Sequence, residues 1–118
     1  MDGIFEFEKW KKEMKKGLVE MCILALLNSK EMYGYEISKE LERLSNGVLS
    51  IEEGTLYPLL RRLEMKKLIK GEWKIIEGKA RKYYRILSLG REVLKDMAKF
   101  WSSLIDSVNK IFERGGLL

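Results

Sequence analysis

Between residues 68 and 87, in "LIKGEWKIIEGKARKYYRIL", the apolar positions change their period from about four to two. Ile69, Trp73 and Ile75 alternate with Lys70, Glu72 and Lys74, and a second alternating run, "RKYYRIL", follows "EGKA". A helix turns successive side chains by about 100°, so it cannot put every second residue on one face. The segment reads instead as two strands joined by a glycine-containing basic loop.

What flanks this hairpin is helical. Residues 6–28 read as one long helix in which Phe7, Trp10, Met14, Gly17, Met21 and Leu24 recur at steps of three and four, a heptad-like stripe. From Leu18 onward the same helix is apolar on nearly every side, which predicts burial between two surfaces. "MYGYEISKELERLSNG" (32–47) gives a short second helix with Ile37, Leu41 and Leu44 on one face, stopped by Asn46-Gly47. After the hairpin, Ser88 is expected to cap a last helix over 89–113, where Leu94, Met97, Trp101, Leu104, Val108 and Ile111 keep the 3-4 spacing unbroken.

A third helix precedes the hairpin, in "EEGTLYPLLRRLE" (52–64), which holds the only proline and the only threonine of the chain. Ser50 with Glu53 has the spacing of a capping box, so a start near Ile51 is expected. Leu56, Leu59, Leu60 and Leu63 then share an inward face, while Gly54, Thr55, Pro58, Arg61, Arg62 and Met65 point outward and Tyr57 lies at the boundary. A proline ring beyond the first turn collides with the carbonyl four residues earlier. Here that residue is Gly54, whose missing side chain lets the turn distort and leaves the helix start nearly bare. A tolerated kink without a role is the plainer alternative.

The residue inventory removes much chemistry. There is no histidine and only one cysteine, Cys22, inside the apolar run 18–27. Ser-His and Cys-His catalysis, the usual zinc sites and an intrachain disulfide are therefore not expected, and neither catalytic nor metal-ligating residues are assigned. The apolar run is about half the roughly 20 residues that span a bilayer, and the charged N-terminal stretch does not read as a targeting signal. A soluble cytoplasmic protein with no cofactor and no membrane contact is expected. Charge is uneven: residues 61–85 hold ten Lys/Arg against three Glu, a net +7, which leaves −2 for the rest of a +5 chain. Such a block is an electrostatic footprint for a polyanion, unless it is only a solvated surface.

Helices, basic hairpin and closing helix together are what a winged helix-turn-helix requires: a mainly α fold with a β-hairpin wing. Residues 1–88 are expected to form this DNA-binding domain and 89–118 a dimerisation helix packing with the first helix. Two long helices with apolar stripes exceed what one small core covers, which calls for a partner surface, a homodimer; an intramolecular helix pair is the alternative. The outward face of the third helix is the expected reading face. Arg61 and Arg62 would meet guanine edges or phosphates, and Thr55 and Tyr57 would donate to phosphates. Lys79, Arg81 and Lys82 are expected at the hairpin tip against backbone or minor groove, and Tyr35, Lys39 and Lys66 complete the DNA-binding set. A winged-helix module that presents Trp73 or the wing to another protein, without binding DNA, is the rival reading.

These residues carry a family resemblance. "EEGTLYPLLRRLEMKKLIKGEW", the later "RKYYRILSLGREVL" and the upstream "LVEMCILALL…YGYEISKEL" resemble the PadR family of transcriptional regulators over residues 10–112. The short C-terminal part resembles the smaller PadR subgroup. The resemblance implies a homodimeric repressor on a dyad-symmetric operator of double-stranded DNA, with the last helix packed on the partner's first. It also implies a planar apolar or aromatic effector held between subunits by a last-helix tryptophan, here Trp101. Met14, Met21 and Met97 fall on the same seams and suit an adaptable surface, though plain interface core would look alike. Glu52-Glu53 departs from the family pattern, where small residues or proline are common; two acids there would repel phosphate unless they cap the helix.

Overall fold

Residues 4–118 are described by the computed structural model. Their elements run α1 (Phe7–Ser29), β1 (Met32–Tyr33), α2 (Gly34–Leu44), α3 (Glu53–Met65), β2 (Ile69–Ile76), β3 (Lys79–Ile86) and α4 (Ser88–Arg114). The three strands form one antiparallel sheet in the order β1-β3-β2. The fold is mainly helical with a small sheet that supplies the wing.

The core lies where α1, α2, α3 and the base of the sheet meet. Ile23 and Leu24 of α1, Ile37 of α2, and Leu56, Leu60 and Leu63 of α3 are its fully buried large side chains, together with Ile69 at the start of β2. The four leucines expected inside α3 are all buried, and no polar or charged side chain is buried among the described residues. α2 stops as expected at Asn46-Gly47, both with positive φ. The Gly47 N–H donates to the Glu42 carbonyl at 2.8 Å and the Asn46 N–H to Arg43 at 3.4 Å, which answers two orphan carbonyls of the last turn. α3 ends the same way through Lys67 at φ 63°, where the Leu68 N–H donates to Leu63 at 3.1 Å.

Four local expectations are corrected. Residues 32 and 33 are strand, not helix: Met32 pairs with Tyr84 and Tyr33 with Tyr83. α2 starts at Gly34, with the Glu36 carboxylate accepting the Tyr33 N–H at 3.2 Å. Ser50 caps nothing, since Glu52 is the N-cap of α3 and makes no side-chain bond. Ser88 lies inside α4, whose N-cap is Leu87; that residue's N–H is held by the Leu68 carbonyl at 2.9 Å. Finally, the hairpin turns at Glu77-Gly78, both at positive φ (53° and 78°), a two-residue connection that suits the right-handed strand twist. The tip is therefore not basic. Lys79 is the first residue of β3, and Arg81 and Lys82 lie within the strand opposite Lys74 and Trp73.

The strand period was legible, but burial follows it only at the base. Ile69, Tyr84 and Ile86 are buried, whereas Trp73 and Ile75 are 71% and 78% exposed because the hairpin runs beyond the helical body. The long helices also outrun the core. Phe7, Trp10 and Met14 of α1 are exposed, as are Phe100, Leu104 and Ile111 of α4, and α4 buries only Gly90 fully. The radius of gyration is 16.8 Å, against about 13.5 Å for a compact chain of 118 residues.

Candidate nucleic-acid interface

α3 divides its surface into three strips. With its buried leucines at the bottom, a 100° step puts Gly54, Pro58, Arg61 and Met65 along the crest. Thr55, Arg62 and Lys66 descend toward α1, and Tyr57 and Glu64 toward the wing. A Cβ built on Gly54 meets nothing within 4 Å, so the crest is open at its start. Met65 is 76% exposed. Arg61 forms no ion pair with any described residue and stands on the crest between Pro58 and Met65.

Arg62 is placed differently from Arg61. Its guanidinium pairs with Glu20 of α1, which ties the two helices and turns this arginine from the crest. Below that pair runs a groove of about 600 Å³ between α1 and the start of α3, walled by Lys12, Lys15, Lys16, Thr55 and Pro58. Lys15 donates to the Val48 carbonyl at 3.1 Å and fixes the loop before α3 against α1. The three lysines of this groove were not singled out in the sequence, because they belong to a charged stretch that looks like a solvated helix face.

On the wing side, Glu64 bridges helix and hairpin. Its Oε2 accepts the Gly71 N–H of β2 at 3.2 Å and its Oε1 accepts Lys82 Nζ of β3 at 3.0 Å. The Lys82 stem crosses Gly71, where an added Cβ would collide with it and approach the Tyr84 ring to 3.0 Å. Lys82 is thus a strut of the wing joint and not a free tip charge. Burial pushes the Tyr84 hydroxyl above its ordinary pKa, and burial does the same to the half-buried Cys22 thiol. Lys70 and Arg85 flank Glu72 at 3.7 and 3.6 Å, and Lys74 pairs with Glu31.

A second feature was missed because it joins distant segments. Tyr35 stacks on Tyr33 (6.5 Å between centroids), and Tyr33 meets Tyr83 edge-on at 5.3 Å. Lys39 lies over Tyr35 at 5.4 Å and Arg81 over Tyr33 at 4.4 Å. This ladder brings Tyr35, Lys39 and Arg81, three of the expected contact residues, to one side of the wing. Thr55, Tyr57 and Arg61 are exposed on α3, and Lys66 at its C-cap. The effector set is less well assembled: Met14 is exposed, Met21, Met97 and Trp101 are half-buried, and none lines the groove between α1 and α3. Among the described residues no three His, Cys, Asp or Glu side chains could hold a metal ion. Among the described residues no helix is long and apolar enough to cross a membrane.

A family model described as the transcriptional regulator PadR-like family matches residues 23–96, which hold α2, α3, the wing and parts of α1 and α4. This chain belongs to that family. The PadR-like regulator BC4206 of Bacillus cereus, a crystal structure, is 39% identical with a TM-score of 0.77, covering 85% of this chain and 96% of that one. A transcriptional regulator of Clostridium thermocellum is 36% identical with a TM-score of 0.76, covering 83% and 96%. Transcriptional regulator Rv3488 of Mycobacterium tuberculosis is 33% identical over 85 residues, 72% of this chain and 77% of its own length. The PadR-like chain is a transcriptional regulator and not an enzyme, and its small antiparallel sheet is the wing of that family's fold.

Proposed function

We propose that this PadR-like chain is a cytoplasmic, homodimeric, sequence-specific DNA-binding repressor. The observation that carries this reading is the crest of α3, where Gly54, Pro58, Arg61 and Met65 present a helix face with nothing packed on it. A helix of this kind lies in the major groove with side chains at base edges, while flanking cations grip backbone. Lys66, Lys67, Lys79 and Arg81, like Arg61, make no ion pair with a described residue, which supports that division of labour. The dimer is supported by area. The chain exposes 8834 Å², about 2,100 Å² more than the roughly 6,700 Å² of a compact monomer of its mass. The excess coincides with apolar side chains at the start of α1 and along α4. Two-fold symmetry would then place two α3 crests about 34–36 Å apart. An apolar effector between subunits, near Met21, Met97 and Trp101, follows from the same seam.

The test is fluorescence anisotropy on the duplex upstream of the protein's own gene, with an unrelated duplex as competitor. A preference of roughly a thousandfold or more is expected. Indifference between the two duplexes counts against operator reading, and a sedimentation mass of one chain at micromolar concentration counts against the dimer. Trp101 emission unchanged by planar cationic dyes removes the effector.

A further inference from the structure

The wing and the helical body do not close on each other. Between them lies a cleft of about 340 Å³, lined by Tyr57 of α3, Trp73 of β2, and Ala80, Arg81, Lys82 and Tyr84 of β3, with Tyr33 and Gly34 at its floor. It contains two cations and no carboxylate. Along it β3 has a bare edge, because β1 covers only Tyr83 and Tyr84 and, on the side away from β2, leaves residues 79–82 unpaired. Backbone amides of a sheet edge and a tyrosine hydroxyl are donors suited to phosphate oxygens.

Most cations of the wing already have partners. Lys82 is engaged with Glu64, Lys74 with Glu31, and Lys70 and Arg85 with Glu72, while the Arg81 guanidinium lies on the Tyr33 ring. Apart from Lys79, what has no partner is apolar. Trp73 and Ile75 sit two residues apart on one face, with Ala80 directly across from Ile75, and together they make a contiguous patch at the outer rim of the cleft. Single exposed apolar residues are ordinary, but a tryptophan-led patch beside a basic cleft calls for an occupant.

A duplex bound with α3 in the major groove must pass one phosphodiester strand between that helix and the wing before the next groove begins. The cleft is the gap available for it. We propose that this cleft is the channel for one DNA strand, and that Trp73 and Ile75 pack on the deoxyribose walls of the adjoining minor groove. The inference rests on the DNA-binding reading above and deepens it: the wing would hold DNA mainly by apolar contact. Such contact releases no counterions, so it leaves the salt dependence of binding unchanged, whereas loss of a phosphate-binding lysine lowers the slope by about 1.

The experiment measures the affinity of full-length protein for its own upstream duplex and for an unrelated duplex, from about 50 to 200 mM salt. Trp73→Ala, Trp73→Phe and Lys79→Ala are compared with wild type, and circular dichroism checks that each is folded. Trp73→Ala is expected to weaken binding by about tenfold or more at every salt concentration with an unaltered slope, and Trp73→Phe to restore most of it. In a Trp10→Phe/Trp101→Phe background, Trp73 emission should shift to the blue and become shielded from acrylamide when duplex is added. Trp73→Ala binding within about twofold of wild type, a slope lowered like that of Lys79→Ala, or emission indifferent to saturating duplex each overturns the proposal. Wild-type protein that binds neither duplex at low salt overturns the DNA-binding reading itself, and the proposal with it. Normal wild-type binding with an indifferent Trp73 overturns only the proposal and leaves the patch to a protein partner.

Discussion

Arg61 and Arg62 are neighbours in sequence but stand 100° apart on α3, one on the crest and one clamped to Glu20. Arg61→Ala should therefore cost about 1–3 kcal/mol of operator binding and relax preference at one base position, which a panel of single-base operator variants would reveal. The same loss on every duplex would make it a phosphate contact instead. Glu64 offers a test of opposite sign. By Coulomb's law alone, deleting a carboxylate beside DNA should tighten binding. Yet this one holds Gly71 of β2 and Lys82 of β3 at once, so it sets the wing against the helix. Glu64→Ala is expected to weaken operator binding several-fold despite the gain in positive charge, and Glu64→Gln, which can still accept the Gly71 N–H, to restore part of it. Tighter binding by the alanine variant would show that the bridge positions nothing.

Among the elements, the junction of α3, β2 and α4 is the most crowded. A Cβ on Gly90 would run into the Leu68 carbonyl and come within 2.8 Å of Ile86 Cγ1. That carbonyl also accepts the Leu87 N–H, so it cannot simply move away. Gly90→Ala should destabilise the fold by about 2 kcal/mol or more, read as a fall in the urea midpoint, because backbone rather than a flexible side chain must yield. How much of this was legible divides along the same lines. α1, α3 and α4 followed from the spacing of apolar residues, and the inward leucines of α3 from its helical period. β1 was not legible, since two residues carry no period and its reason for being is the edge of β3 far along the chain. Neither was the acidic hairpin tip, because Gly78 could be placed in a turn but not the residue beside it. The Glu64 bridge joins residues 7 and 18 positions apart and the Tyr33–Tyr83 contact of the tyrosine ladder residues 50 apart, and no local pattern marks them.

At the scale of the molecule, apolar surface on α1 and α4 dominates. If two chains share it, folding and association are linked, and Tm should rise by several degrees over a hundredfold increase in protein concentration. A concentration-independent Tm would mean that each chain is stable alone. The absence of histidine gives a second prediction. No side chain has its ordinary pKa between about 5 and 8, so stability should be flat there. Cys22 and Tyr84 are both raised by burial, so the fold keeps their protons while the unfolded chain releases them. Their stabilisation is complete below the ordinary thiol and phenol ranges and fades as pH climbs through them. Denaturation midpoints measured from pH 7 to about 10.5 should fall only at the alkaline end, and Cys22→Ala should delay the first part of that fall. The crowding at Gly90 also has a mechanical meaning. α4 is a bar of 27 residues whose near end is wedged on residue 68, three positions beyond the last residue of α3. Anything that swings the far end of that bar turns it about a fulcrum set directly behind α3.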